Sequence, residues 1–427
     1  MTPRDESMRA RSRVVVALAD LAASCADPVS AQGTSTDQAI GLTQRQIQRH
    51  PQNATAYLKL GDAYIQKARQ TGDLSYFTLA ESALRRSLEL APQNAGAARH
   101  LAYVFSSRHE FVEAAAQAQK AIDLDSADSH AYGVLGDALL ELGKYDDAGQ
   151  AFDTMMRLDK SLYSLARLSG LRSLRGDPEG AIAELRRAIE AGRTTGEPPE
   201  SIAWAQWQLG VEYFAVGNLQ AAEVQYLEAL TSYPNYYRAL ASLAQVRAAQ
   251  HRSEEAIDLY GRALGVIPFP EYAAGLGDLY TTLGRTEEAS KQYALVEYIG
   301  RLNALNRVVY NRELASFYAD HDRKLDDALA LARSELEIRH DIYGYDILAW
   351  ALYKAGKLEE AVAPMTEALR LGTKDAKLYF HAGMIYQSLG QADRAREFLA
   401  RALSTNPRFH LLHAPLAERI LMELEIR

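Results

Sequence analysis

Residues with small side chains recur along this chain at intervals that few folds can accommodate. Aligned on Ala148, alanine stands at Ala80, Ala114, Ala181, Ala222, Ala256, Ala289, Ala328, Ala361 and Ala395, at successive spacings of 34, 34, 33, 41, 34, 33, 39, 33 and 34 residues. A second small column lies twelve residues before most of these, at Ala102, Gly136, Ser169, Gly210, Ala244, Gly277, Ala349 and Gly383. Gly61 precedes Ala80 by nineteen residues and Ala315 precedes Ala328 by thirteen, so two units change spacing and keep the residue type. Residues 129–160 show what one unit contains. Tyr132, Leu135, Gly136 and Leu139 repeat at helical spacing, which predicts a helix over 130–142. Gly143-Lys144 breaks it, and Ala148, Phe152 and Met155 mark one face of a second helix over 146–158. Small side chains in both columns let the two helices approach closely. Such a pair cannot bury its apolar face alone and needs a neighbour on each side.

A helix-turn-helix period of this length with a small and aromatic pattern resembles the tetratricopeptide repeat (TPR), from about residue 53 to residue 407. The resemblance implies an all-α fold, a right-handed superhelical solenoid of about ten helix pairs whose first helices line a concave groove. Several units depart from the pattern. Unit one carries an insertion at 69–75 that turns at Gly72, and unit four has Arg172 where leucine or an aromatic is usual. The helices around 291–309 read as longer than standard, and unit eight has an extra residue in its turn at 321–325. Residues 346–354, 371–375, 381–385 and 406–409 resemble a narrower group, predicted exported bacterial TPR proteins, in which the insertion of unit one also recurs.

The ends of the chain read differently. Arg9, Arg11 and Arg13, the apolar run 14–23 and the small residues Val29-Ser30-Ala31 fit an export signal over 1–31. Ala22-Ala23-Ser24-Cys25 resembles a lipid-attachment box, which leaves Cys25 as an alternative anchor, and a disordered cytosolic leader is the third reading. Residues 32–52 read as a linker followed by half a repeat that covers the open end of unit one. Residues 408–427 read as a C-terminal capping helix, entered at Pro415. Within the array, 192–201 is the one Gly/Pro-rich break. It is either a longer loop between repeats or a hinge between two halves.

Composition narrows the function. The net charge of −8 supplies no basic stripe for phosphates, so no nucleic-acid partner is expected. No run of about 20 apolar residues follows the N-terminus, so no transmembrane span is expected. One cysteine excludes an intrachain disulfide framework and a cysteine-rich zinc site. There is no Gly-rich phosphate loop and no nucleophile elbow. His410 and His413 form an HxxH with no third ligand in view. We therefore expect no catalytic residue, no metal and no cofactor.

What remains is a binding surface. The TPR resemblance places the second, fifth, ninth, twelfth and thirteenth residues of each unit in the groove. Trp204 and Trp207 are second and fifth in unit five, and Val211 and Phe214 continue that face. Tyr103, Tyr163, Tyr343, Trp350, Tyr353 and Phe380 fall on groove positions too. So do Arg99 and Arg312 at fifth positions, and Asp62, Asp137 and Asp278 at ninth ones. Aromatic rings bury large area with little entropy loss, which suits them to anchoring an extended peptide. The competing reading is that tight curvature packs these rings against one another or against the loop at Pro198. Leu58, Asp62, His100, His130 and Val134 stand where some TPR domains place a carboxylate clamp, so a chaperone-tail ligand is disfavoured. The expected function is a non-enzymatic protein- or peptide-binding scaffold of the bacterial cell envelope. The alternative is a cytosolic regulator that changes curvature on binding a small ligand or signal peptide.

Overall fold

A computed structural model describes residues 35–305 and 311–426, and among them every regular element is an α-helix. The leader over 1–31, with Cys25, lies outside the described residues. A leading helix α1 (Ser35–Arg49) is followed by ten pairs: α2 (Ala54–Thr71) with α3 (Ser75–Leu90), α4 (Ala95–Ser107) with α5 (Phe111–Leu124), α6 (Ser129–Glu141) with α7 (Tyr145–Leu158), α8 (Leu162–Leu174) with α9 (Pro178–Thr195), and α10 (Pro199–Ala215) with α11 (Leu219–Ser232). The second half continues with α12 (Tyr237–Ala249) and α13 (Ser253–Val266), α14 (Pro270–Thr282) and α15 (Thr286–Leu305), α16 (Asn311–Asp320) and α17 (Leu325–Ile338), α18 (Ile342–Lys354) and α19 (Leu358–Ala368), and α20 (Ala376–Ser388) and α21 (Ala392–Thr405). A last helix, α22 (His413–Ile426), packs on α21.

Local chemistry sets each boundary. Asn53, Asn94, Asp128, Asp177, Asn218, Asp341 and Asp375 cap the helices that follow them, accepting first-turn amides that would otherwise have no partner. Within most pairs the turn needs one left-handed residue, five positions before the column alanine. Glycine fills it at Gly143, Gly176, Gly217, Gly284, Gly356 and Gly390, and His109 and His251 adopt the same conformation without glycine's freedom. In the 192–201 break, α9 runs on to Thr195, Gly196 caps it, and α10 starts on Pro199. Proline suits that first turn because its missing N–H would have no helical partner there. Unit five therefore begins four residues earlier than the column spacing suggests.

The two small columns work by a route that the spacing alone did not specify. The group that meets Gly136 is the ring of Phe152, one helical turn beyond Ala148, and a Cβ on Gly136 would stand 2.3 Å from it. Tyr226 covers Gly210 and Tyr293 covers Gly277 in the same way. Where serine replaces glycine, Ser169 Oγ donates to the carbonyl of Ala181 at 2.8 Å and ties the pair through a hydrogen bond.

Successive superhelical turns touch. Arg69, in the unit-one insertion, pairs with buried Glu200 at 2.7 Å. The carbonyl of Glu141 accepts the amide of His340 at 2.9 Å, and Thr373 Oγ1 donates to the carbonyl of Leu174. Asn406 Nδ2 donates to the carbonyl of Phe214 at 2.7 Å, across 192 residues. The turns inside units three, four and five thus rest on the loops that close units eight, nine and ten. The concave face is the inner wall of a short tube and not an open trough.

Candidate functional site: the inner cavity

The first helices of units five to ten enclose a cavity of about 540 Å³. α10 contributes Trp207; α12 contributes Arg238 and Gln245; α14 contributes Glu271 and Asp278. From the far side come Arg312, Glu313 and Asp320 of α16, Tyr343 and Asp346 of α18, and Lys377 of α20. Most of these are second, fifth or ninth residues of their units, because those positions face the superhelix axis. His410 enters from the segment after α21.

The wall carries a connected set of ionisable groups. Asp278 accepts from the Tyr293 hydroxyl at 2.9 Å and from His321 Nε2 at 2.7 Å. His321 Nδ1 lies 2.7 Å from the carbonyl of Phe317. Both ring nitrogens therefore face oxygens that only accept, which requires two ring protons. Burial pulls the pKa of His321 down, and the bond to Asp278 more than offsets it, so the net shift is upward. Asp320 accepts from Trp350 Nε1 at 2.8 Å and from Lys377 Nζ at 3.1 Å. Burial opposes its ionisation, but Lys377 and the nearby histidines hold its carboxyl well below the usual carboxylate range. Asp346 pairs with His381 Nδ1 at 2.8 Å.

The structure divides the residues singled out in the sequence. Trp207 and Arg312 line the cavity together. Trp207 donates from Nε1 to Ser242 Oγ at 2.9 Å, and the Arg238 guanidinium lies 5.2 Å above its ring. Arg312 is engaged by Asp341 at 2.5 Å and Glu335 at 3.3 Å. Trp204, Val211 and Phe214 share α10 with Trp207 and are half-buried against the core beside it. Trp350 and Phe380 are 2% and 0% exposed, so neither offers surface to a ligand as placed. Trp350 stacks on His381 at 4.1 Å and on Tyr353 at 4.9 Å, while Phe409 and His413 cover Phe380. Tyr163 is tied to Ser201 at 2.9 Å and to Glu197 at 3.1 Å, so its hydroxyl braces the 192–201 segment. Tyr103 lies against Phe77, far along the chain from the cavity units.

Two features are not evident from the sequence pattern of aromatics. Arg238, Glu271, Asp346 and Lys377 sit on groove positions that an emphasis on rings passes over. Asp320 joins His410 and His413, so that one ligand-type atom of each lies within 4.8 Å of the others. Two of the three are already engaged: Lys377 occupies one side of Asp320, and His410 Nδ1 accepts the amide of Leu412 at 3.2 Å. A cation there would have to displace an ammonium, and the trio reads as an internal tie.

Comparison with known proteins agrees with this architecture. Tetratricopeptide-repeat family models match residues 107–161, 207–273 and 376–409. A TPR repeat-containing protein of Methanocaldococcus jannaschii is 22% identical over 291 residues, 63% of this chain and 48% of that protein. The chain thus spans about half the length of that curated relative. Among solved structures, the human IFIT1 dimer with m7Gppp-AAAA superposes with a TM-score of 0.53 at 15% identity, covering 79% of this chain and 76% of the human one. The same human dimer with PPP-AAAA gives 0.52 at 14% identity, covering 79% and 77%. With its ladder of small residues, its consecutive helix pairs and these matches taken together, the chain belongs to the tetratricopeptide-repeat superfamily.

Proposed function

We propose that the chain is a non-enzymatic scaffold that holds an extended polypeptide along its inner wall. The observation that carries this reading is the cavity itself. Groove positions from six consecutive units converge on it and set the Trp207 ring among fixed charges. Such a wall offers an apolar anchor flanked by polar groups that fix register, which is how grooves of packed helices recognise peptides. Five carboxylates and three permanent cations line it, so a nucleic-acid ligand is disfavoured. A photoreactive residue at position 207 should crosslink the native partner, and the Trp204→Ala, Trp207→Ala double variant should lose that partner while keeping its helicity. Capture that is unchanged in the double variant would count against the reading.

The leader supports a place in the cell envelope, through its basic start, its apolar run and the small residues before Gln32. N-terminal sequencing of the native protein tests this, and an intact Met1 or Met8 would remove it. A second reading, a cytosolic regulator whose curvature responds to a small ligand, is favoured by one feature. The turns are joined by hydrogen bonds across 192 to 199 residues, so anything that fills the lumen works against those joints.

A further inference from the structure

The contacts between superhelical turns follow one rule: the inner turn of a unit rests on the loop that closes the unit five places on. A Cβ on Gly143 of unit three would press on the carbonyl of His340, which closes unit eight. One on Gly176 would press on the carbonyl of Gly372, and one on Gly217 would meet that of Thr405. The same glycine position in units seven, nine and ten holds Gly284, Gly356 and Gly390, where a Cβ would meet nothing within 4 Å. The surface that makes the joint in the first half is therefore bare in the second. The closing loops show the converse. Arg339 and Asn406, eleven residues after their column alanines, are 9% and 1% exposed under their joints. Asp125 and Asp159 hold that position in units two and three and are exposed.

The two end helices are unmatched halves of a repeat. Ala417 stands 34 residues after Gly383, so α22 has the register of a first helix. Ala39 stands 22 residues before Gly61, the interval between Ala114 and Gly136, so α1 has the register of a second helix. No described helix completes either pair. The column alanines from Ala80 to Ala395 are all buried, whereas Ala39 is exposed. Leu42, one helical turn on, is 60% exposed, and Met422 and Ile426 on α22 are 60% and 86% exposed. The end of a solenoid ordinarily turns a polar face outward. Both ends of this array turn out apolar side chains.

We propose that a second copy of this chain docks head to tail, with α22 of one copy and α1 of the next forming an eleventh helix pair. With that shared pair in place, the rule of five carries the inner turns of units eight and nine onto the loops that close units two and three of the next copy. The charges match in order. Arg323 and Lys324 lie in the turn of unit eight and Lys357 in that of unit nine, opposite Asp125 and Asp159. Neither aspartate forms an ion pair among the described residues. Lys324 leans on Glu297 and Lys357 on Glu360 at the surface, where such pairs are weak and readily exchanged. The joint within one chain uses the same chemistry with the signs reversed, Arg339 on the loop meeting Glu141 beside the turn at 3.3 Å. A head-to-tail contact does not close on itself, so the copies build an open superhelix and their lumens run on from one to the next. The proposal goes beyond the peptide-binding reading and does not depend on it.

Sedimentation velocity of the full chain tests it. The mass should climb with concentration and reach no plateau. Leu42→Asp blocks one face and Met422→Asp the other, and each variant alone should stay at the 47.2 kDa of a single chain. Mixed, the two keep one good face each and should form a 1:1 complex and nothing larger. A dimer formed by either variant alone would mean a two-fold contact and overturns the head-to-tail assignment. A native chain that stays monomeric overturns it too, and leaves these faces to its own leader or to a different protein. If a variant loses helicity, carbodiimide crosslinking of the native chain decides, with isotopically heavy and light copies mixed. Lys357 joined to Asp159 of the other copy upholds the proposal, and crosslinks confined to single copies overturn it. Loss of the partner crosslinked at position 207 would remove the peptide-binding reading and leave the assembly standing.

Discussion

The hydroxyl of Tyr145 accepts the backbone N–H of Ile342 at 2.8 Å, joining residues 197 apart in the chain. Ile342 opens α18, so its amide has no helical partner of its own. Beside it Arg339 reaches Glu141 at 3.3 Å. The first turn of one repeat pair is thus completed by a side chain from the previous superhelical turn. Tyr145→Phe keeps the ring and leaves that amide buried without an acceptor, at a cost of about 1–3 kcal/mol. Hydrogen exchange at Ile342 should speed up, with exchange in α4 and α5 unaltered. Unchanged protection at Ile342 would mean that the turns are not held together at this point.

The packing of large rings on glycine gives a second test, with an internal control. A Cβ on Gly210 would stand 2.3 Å from the ring of Tyr226, a side chain that is itself fully buried. The ring has nowhere to move, so Gly210→Ala should destabilise by about 1–3 kcal/mol despite the better helix propensity of alanine. Gly261 lies in α13, and a methyl group added there would meet nothing within 4 Å. Gly261→Ala should stabilise by about 0.5–1 kcal/mol. Chemical denaturation of the two variants should shift the midpoint in opposite directions, and a shared direction would refute the packing argument.

The left-handed turn column allows a gain. His251 has a φ of 61° at the position that glycine fills in six other units. A β-carbon in that conformation costs about 1–2 kcal/mol, and part of the gain from removing it is lost to the freer unfolded chain. His251→Gly should therefore raise stability by about 0.5–1 kcal/mol. A lower melting temperature would show that the imidazole makes a contact worth more than the strain.

These cases show where the sequence is informative. The column of small residues, the turn four or five residues before all but the first of the alanines and the capping residues are all local. Each follows from one helix pair, so the repeat and its register are legible in the text of the chain. The cross-turn contacts are not. They depend on small rotations summed over about six units, and no spacing between Tyr145 and Ile342 announces them. The same gap explains the aromatics. Counting positions correctly faces Trp350 and Phe380 toward the axis, but the segment around Phe409 and His413 returns to cover them. A positional rule reads direction and cannot read a cover that arrives from elsewhere. Charged groove residues such as Glu271 and Lys377 are equally legible by position, and only the weight given to rings hides them.

His100 makes a prediction about pH whose sign is fixed by its surroundings. Burial and the adjacent Arg99 lower it from 6.5 to about 3, against weaker support from Asp128. Its Nε2 lies 3.6 Å from Asp62, and its Nδ1 is buried without a partner. The folded chain therefore keeps this ring neutral, whereas the unfolded chain protonates it below its ordinary value. The contribution of His100 to stability is present above pH 6.5 and is lost as pH falls from there toward 3. At pH 5 the loss amounts to about 2 kcal/mol, at about 1.4 kcal/mol for each unit below the unfolded value. Other buried groups titrate over the same range, and Glu212, pushed up to about 7 by burial, acts in the opposite direction. The clean comparison is therefore between the native chain and His100→Gln. Denaturation of both at pH 7.5, 6 and 5 should show the native chain losing ground to the variant at each step down. A difference between the two that does not change with pH would remove the claim that burial and Arg99 hold this imidazole neutral in the folded chain.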